Sequence, residues 1–303
     1  MKGIIRKIFY YLKHPKYILL RLDYLNIIRL KDKTYIKWHY EEILKKKLNL
    51  SNPNTFNEKL QWLKLHDRKD IYTTMVDKYE SKKYVADLIG QKHIIKTLGV
   101  YNRFDDIDFD KLPKQFVIKC THDSGGIVIV RDKNKFNKEE AKKKIEKSLN
   151  INYYYLGREW PYKNVKPRII VEEFLIDSKL NELRDYKFFC FNGEPKFFKV
   201  DFDRYIDHKA NYFDLSGKIL KLGEIVCPPD YNKKIELPKK LEEMIKLAKI
   251  LSKDTIFLRV DFYEVNNTVL YGELTFYPAS GFGAFIDDNS DMKLGELIKL
   301  PNK

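Results

Sequence analysis

The chain has 303 residues, 44% hydrophobic and 14% aromatic. That is enough apolar material for one large or two modest domains with a buried core, and it excludes a disordered chain. The formal net charge is +15, and more than half of the excess sits in residues 1–50, which hold 13 Lys/Arg against 4 Asp/Glu.

The first residues, MKGIIRKIFYYLKHPKYILLRL, place charges ahead of an apolar stretch. Lys13, Lys16 and Arg21 interrupt that stretch and no small-residue cleavage site follows. Neither a signal peptide nor a run of about 20 apolar residues able to span a membrane is expected. Ile4, Ile5, Ile8, Phe9 and Leu12, then Ile18, Leu19, Leu22 and Leu25, recur at helical spacing over residues 3–30, with a break near Pro15. Two readings stay open for this segment: a basic surface helix drawn to anionic lipid, or helices packed on the rest of the chain.

A further helix is expected over 34–50, ending before Ser51-Asn52-Pro53-Asn54. Thr55 and Glu58 have the spacing of a capping box, which opens a helix through Leu65. Residues 70–89 read as one helix stopped by Gly90, and Ile94-Ile95 as a short strand. Strands at 115–119 and 127–130 flank Cys120-Thr121-His122-Asp123-Ser124-Gly125-Gly126, and a charged helix follows at 137–149. Residues 150–167 form an aromatic loop with Tyr153, Tyr154, Tyr155, Trp160 and Tyr162. Strands are expected at 168–175, 185–192 and 195–202, the last two joined by a turn at Gly193. Pro238 opens a helix through 252 with a buried stripe of Leu241, Met244, Ile245, Ala248 and Leu251. The pattern is mixed α and β, with antiparallel hairpins rather than a βαβ series. Cys120, Cys190 and Cys227 show neither a disulfide framework nor zinc spacing, so they read as small buried hydrophobes in a reducing cytoplasm.

The most informative segment is LRVDFYEVNNTVLYGELTFYP, Leu258 to Pro278. Leu258, Val260 and Phe262 alternate with Arg259, Asp261 and Tyr263; Leu270, Leu274 and Phe276 alternate with Tyr271, Glu273 and Thr275. Pairing Val260 with Leu274 keeps the apolar face continuous and sets Asp261 opposite Glu273 and Arg259 opposite Thr275. That register demands an odd-length loop, because a two-residue Asn266-Asn267 turn would flip one strand over. Facing carboxylates repel. They fit either a hard divalent cation carrying phosphates or a solvated polar face.

Two other segments bear on the choice. The turn after Lys119 carries Ser124, Gly125 and Gly126, whose backbone N–H groups can approach a phosphate, although strands rather than a helix flank it and no P-loop pattern is present. The strand Ile169 to Leu175 ends in Glu172, Glu173, Phe174 and Leu175, an edge that can offer backbone groups and apolar cover to an adenine.

In order, Asp77-Lys78, Lys119 with its Gly-rich hairpin, Glu172-Glu173-Phe174-Leu175, Asp185-Tyr186-Lys187, Arg259-Val260-Asp261-Phe262 and Glu273-Leu274-Thr275 resemble the ATP-grasp superfamily. More narrowly the chain resembles the TupA-like ATP-grasp proteins of bacterial surface-polysaccharide clusters, named for teichuronopeptide synthesis. Thr55 to Trp62, Leu156-Gly157-Arg158-Glu159-Trp160 and Gly272 to Pro278 carry that closer likeness, which covers roughly residues 51–287. The fold it implies is α+β, with ATP in a cleft between two subdomains of mainly antiparallel sheet plus helices, preceded by basic N-terminal helices. The implied layout is a basic segment at 1–50, a shortened N-terminal part at 51–112, a smaller subdomain with the Gly-rich lid at 113–176 and a larger one with the Mg²⁺ site at 177–303.

Carried over residue by residue, the resemblance puts Lys78 and Lys119 on ATP phosphates, with Ser124, Gly125 and Gly126 in the lid. Glu172, Glu173, Phe174 and Leu175 lie along the adenine, and Asp185 and Lys187 on the rest of the nucleotide, Asp185 at the ribose. Asp261, Glu273 and Thr275 would hold Mg²⁺, and Arg259 would steady the transferred phosphoryl group. Many relatives have Asn where this chain has Thr275. His122, Arg158, Trp160, Ser280 and Gly281 are the candidates for substrate contact. The implied activity is an ATP-dependent carboxylate–amine ligase acting through an acyl phosphate, with a uronic acid sugar and an amino acid or amino alcohol as substrates. A sugar phosphotransferase, a glycosyltransferase and a basic membrane-surface protein remain as alternatives. No nucleic acid is expected as partner, and the expected location is cytoplasmic, with peripheral membrane contact through residues 1–50 left open.

Overall fold

In the computed structural model the described residues are 14–176, 183–203 and 206–301, so the first part of the expected N-terminal helix, 1–13, lies outside them. Pro15 occupies the first turn of helix α1, Pro15–Tyr24, where its missing N–H costs nothing. Helix α2, Asp32–Leu44, packs on it through Tyr17, Leu20, Tyr35 and Ile36. The Tyr35 hydroxyl donates to the Leu156 carbonyl at 2.8 Å, so these helices dock on the body of the chain.

The capping box forms as expected, with Glu58 N–H on Thr55 Oγ1 at 3.2 Å, and opens helix α3, Phe56–His66. The single helix expected over 70–89 is two, α4 at Ile71–Val76 and α5 at Glu80–Ile89. Asp77 breaks it: its carboxylate accepts from the N–H groups of Tyr79 and Glu80 and from Arg168, competing with the helical ladder. The break leaves Lys78 N–H on the Thr121 carbonyl at 3.0 Å, beside the Gly-rich turn.

Two antiparallel sheets follow. The smaller has the order β1-β4-β2-β3, with β1 Thr97–Tyr101, β2 Phe116–Cys120, β3 Ile127–Val130 and β4 Ile169–Glu173. It therefore recruits β1 from the stretch assigned to the preceding part. Helix α6, Lys138–Leu149, covers it over a core of Phe116, Ile118, Ala141, Ile145 and Val171. A short helix α7, Tyr154–Gly157, and a helical turn at Trp160–Tyr162 replace an irregular aromatic loop.

The larger sheet has the order β10-β9-β5-β6-β7-β8: β5 Asp185–Phe191, β6 Glu194–Phe202, β7 Lys209–Asp214, β8 Ile219–Leu220, β9 Phe257–Val265 and β10 Thr268–Thr275. Helix α8, Leu241–Ser252, packs across one face on β5, β6 and β9. The other face is divided along its strands. Phe189, Phe191, Phe197 and Phe257 form an aromatic end that receives Phe56 of α3, ring centroids 5.1 Å from Phe257. Asp185, Lys187, Lys199, Asp201, Arg259 and Asp261, further along the same alternation, form a polar end.

The β9–β10 hairpin has the expected register: Val260 faces Leu274, Asp261 faces Glu273 and Arg259 faces Thr275. Its loop is nevertheless two residues long. Asn266 and Asn267 both take left-handed φ, 50° and 63°, the backbone of a type I′ turn. Parity is restored by a bulge at Gly272, between the pairs Tyr271–Phe262 and Glu273–Asp261. A Cβ there would stand 3.1 Å from the Asp261 carbonyl, which is why the bulged residue is glycine. The bulge reverses the faces before it: Tyr271, not Leu270, enters the core, and Tyr271 lies 4% exposed. Helix α9, Asp288–Leu297, packs on α3.

Candidate functional site

The polar end of the large sheet faces the β2–β3 turn across a cleft of about 350 Å³. Lys78, Lys119, Ser124, Gly126, Glu172, Asp185, Lys187, Asp261 and Glu273, all singled out from sequence, line this one cleft. Asp123, Ile127, Tyr263 and Gly272 line it as well and were missed.

Strand pairing brings like charges face to face: Asp185 with Asp201, Lys187 with Lys199, and Asp261 with Glu273. Each such pair opposes folding on its own. The face holds because opposite charges surround each pair, directly across as Lys187 from Asp261, two residues along as Arg259 from Asp261, or diagonally as Lys187 from Asp201. Lys187 Nζ reaches Asp185, Asp201 at 3.1 Å and Asp261 at 3.5 Å. Arg259 donates through Nε and Nη2 to both Asp261 oxygens at 2.7 Å, and through Nη2 to Glu273 at 2.8 Å and Thr275 Oγ1 at 3.1 Å. The Thr275 hydroxyl donates to Glu273 at 3.1 Å. Burial raises the pKa of Asp261, with Glu273 and Asp185 adding to it against Arg259 and Lys187. Burial acts in the same sense on Glu273, but Arg259, Lys78 and Lys187 outweigh it and lower its pKa.

On the facing wall Glu172 bridges two lysines, Lys119 at 2.7 Å and Lys82 at 2.5 Å. Burial alone would raise the Glu172 carboxyl, but Lys119 and Lys82 hold it at about 2. The turn is fixed at its base: Asp123 Oδ2 accepts from Gly126 N–H at 2.9 Å and from the Ser148 hydroxyl, and the Asp123 carbonyl accepts from Lys78 Nζ. Ser124 and Gly125 form the exposed tip.

The model of the family described as TupA-like ATPgrasp matches residues 58–299, a span that contains every residue lining this cleft. The chain belongs to the TupA-like ATP-grasp family. The two sheets are the two subdomains of the ATP-grasp fold. No curated protein matches the sequence. Among solved structures, D-alanine–D-alanine ligase from Bacillus anthracis complexed with ATP is similar at 16% identity over 67% of this chain and 54% of that one, TM-score 0.39. The Helicobacter pylori D-alanine–D-alanine ligase is 18% identical over 82% and 70%, TM-score 0.41. The ATP-grasp ligase PsnB, complexed with minimal precursor, Mg and ADP, is 9% identical over 68% and 51%, TM-score 0.37. The chain thus spans about half the length of the first of these ligases.

Other residues singled out from sequence do not line the cleft of this ATP-grasp protein. Arg158 is fully buried, its guanidinium 2.7 Å from Asp23 and 3.3 Å from Asp32 and stacked on the Tyr35 ring. It anchors the N-terminal helices, which corrects the expected substrate contact. His122 is 2% exposed, its Nε2 3.2 Å and 3.1 Å from the Ser148 and Ile151 carbonyls. It tethers the turn to α6 instead of meeting a phosphate. Trp160 packs against the main core. The Ser280 hydroxyl donates to Glu159, and the Ser280 and Gly281 carbonyls accept from Lys64 and Gln61, each at 2.6 Å. Glu173 is exposed, Phe174 lies under the Arg131 guanidinium at 5.4 Å, and Leu175 is half-buried. Among the described residues no helix is long and apolar enough to cross a membrane.

Lys82 and Asp201 carried a partial signal. Lys82 is four residues beyond Lys78, one turn on in the single helix expected over 70–89, and Asp201 shares the strand parity of Lys199. Their partners, Glu172 and Lys187, come from other elements and are not visible locally.

Proposed function

We propose that this chain is an ATP- and Mg²⁺-dependent ligase that joins a carboxylate to an amine through an acyl phosphate. Its setting would be bacterial capsular or exopolysaccharide assembly, with a uronic acid sugar as the acid and an amino acid or amino alcohol as the amine. The reading rests on one observation: Lys78 and Lys119 meet Asp261 and Glu273 across a single cleft. Membership of the TupA-like ATP-grasp family supports it.

The donor set fits Mg²⁺. Asp261 and Glu273 offer hard carboxylate oxygens from paired positions, and Thr275 adds a hydroxyl beside them. Mg²⁺ held there would supply positive charge to offset that on the transferring phosphoryl group. The protein's own part is positioning. Arg259 holds both carboxylates in one geometry through its rigid fork, and its charge adds to that of Lys119 and Lys78 at the phosphoryl group. The Ser124–Gly126 turn closes over the phosphates and excludes water, which protects an acyl phosphate from hydrolysis. Glu172 serves the adenine edge while fixing Lys119.

The test is stoichiometry. The protein, ATP and Mg²⁺ are incubated with candidate uronic acids and amines, singly and together. A ligase releases ADP and phosphate, and forms an amide visible by mass spectrometry, only when both substrates are present. Transfer of phosphate to a sugar alone, or thermal stabilisation by UDP-sugars and not by ATP·Mg²⁺, would replace this reading with a phosphotransferase or a glycosyltransferase.

A further inference from the structure

A second cluster of metal-ligating groups sits beyond the far end of the same sheet face. Asp201 is near the end of β6, His208 directly precedes β7 and Cys227 lies in the segment after β8. One ligand atom from each lies within 4.8 Å of the other two. His208 Nε2 is 3.0 Å from Asp201 Oδ1, and Cys227 Sγ is 3.5 Å from His208 Nδ1 and 3.8 Å from Nε2. Asp201 and Cys227 are buried, 3% and 7% exposed, whereas the His208 side chain is 39% exposed.

Thiol, imidazole and carboxylate in a row also describe a proton relay, but the distances oppose it. A sulfur bonded along the in-plane axis of one ring nitrogen would stand much farther from the other. The near-equal separations put Sγ off that axis. A buried sulfur is also closed to an acyl substrate.

We propose that Asp201, His208 and Cys227 form a zinc site. A carboxylate oxygen, an imidazole nitrogen and a thiolate are a borderline-soft set, and three protein ligands with a fourth position open to solvent is an arrangement that Zn²⁺ adopts. Mg²⁺ takes oxygen ligands, so this is not a second version of the Asp261–Glu273 site. Binding displaces the thiol proton to solvent, and the dication then faces one thiolate and one carboxylate. Of the nearby cations, Lys199 is 4.0 Å from Asp201 but 3.1 Å from Glu224, and Lys187 contacts the other Asp201 oxygen. Rotation of the exposed His208 ring directs its lone pair at the ion. The ion would tie the connection between β6 and β7 to the segment after β8. Through Asp201 it would also fix Lys187, which reaches into the cleft.

Cobalt(II) substitution tests this without any assay of activity. The full chain, stripped of metal by a chelator, is titrated with CoCl₂. One equivalent per chain is expected to give tetrahedral d–d bands and a thiolate-to-cobalt charge-transfer band, both displaced by Zn²⁺. Cys227→Ser should abolish the charge-transfer band, and Cys120→Ser should keep it. The exposed His208→Ala, which leaves the core intact, should weaken Zn²⁺ binding on the order of 100-fold in competition with a chromophoric chelator. Absence of the charge-transfer band in the wild-type chain, its survival in Cys227→Ser, or unchanged Zn²⁺ affinity in His208→Ala would overturn the proposal.

Discussion

Arg259 and Glu172 show how single residues set the cleft. Arg259 engages two carboxylates and a hydroxyl through Nε and Nη2, a pattern that an ammonium does not reproduce. Arg259→Lys is therefore expected to lower kcat/KM by about 100-fold, comparable to the loss of one preorganised donor, with the fold unchanged by circular dichroism. Glu172 makes a pH prediction. Its folded pKa, about 2, lies below the ordinary 4.5, so the ionised form is favoured by folding. The stabilisation is present above pH 4.5 and is lost as pH falls towards 2. It amounts to on the order of 3 kcal/mol. Denaturant melts of wild type and Glu172→Gln should show a stability gap at pH 6 that narrows at pH 3; a gap independent of pH would refute the ion-pair account. Arg158 and Asp23, both fully buried, predict a structural effect instead. Arg158→Met should cost about 3–5 kcal/mol by stranding Asp23, and a second change, Asp23→Leu, should recover much of it.

The hairpins and the capped helix were legible as elements because their signals are local: alternation, turn residues and Thr55 three residues before Glu58. The bulge at Gly272 was not. Parity showed that one residue was surplus, but sequence placed it in the loop, whereas close approach of the Asp261 carbonyl sites it at Gly272. Gly272→Val should therefore disturb the Asp261–Glu273 pairing and lower Mg²⁺-dependent activity. Asn267→Gly, at φ 63°, should be tolerated within about 1 kcal/mol. The helix break at Asp77 was hidden for a related reason: its bonds to Tyr79 and Glu80 N–H are local, but Arg168, which holds the other carboxylate oxygen, is remote in sequence. The substrate roles expected of His122 and Arg158 failed in the same way, since residue type and neighbourhood were readable but burial and remote partners were not.

At the scale of the molecule, the cleft is a product of strand order. β9 lies beside β5 although about 70 residues separate them, and this brings Asp261 to Lys187. Such pairing is non-local and cannot be read from a window of sequence; only the order of motifs and the family likeness pointed to it. The N-terminal helices α1 and α2 belong to the body of the protein through Asp23, Tyr35 and Arg158. Deleting residues 1–30 should thus lower the melting temperature as well as any affinity for anionic vesicles. The central claim is that Asp261 and Glu273 carry Mg²⁺ with ATP in the cleft. Isothermal titration of a non-hydrolysable ATP analogue, with and without Mg²⁺, tests it on wild type and on Asp261→Asn/Glu273→Gln. The wild type should bind the analogue at least about tenfold, or 1.4 kcal/mol, more tightly with Mg²⁺, and the variant should show no such gain. An equal gain in both proteins would contradict the account.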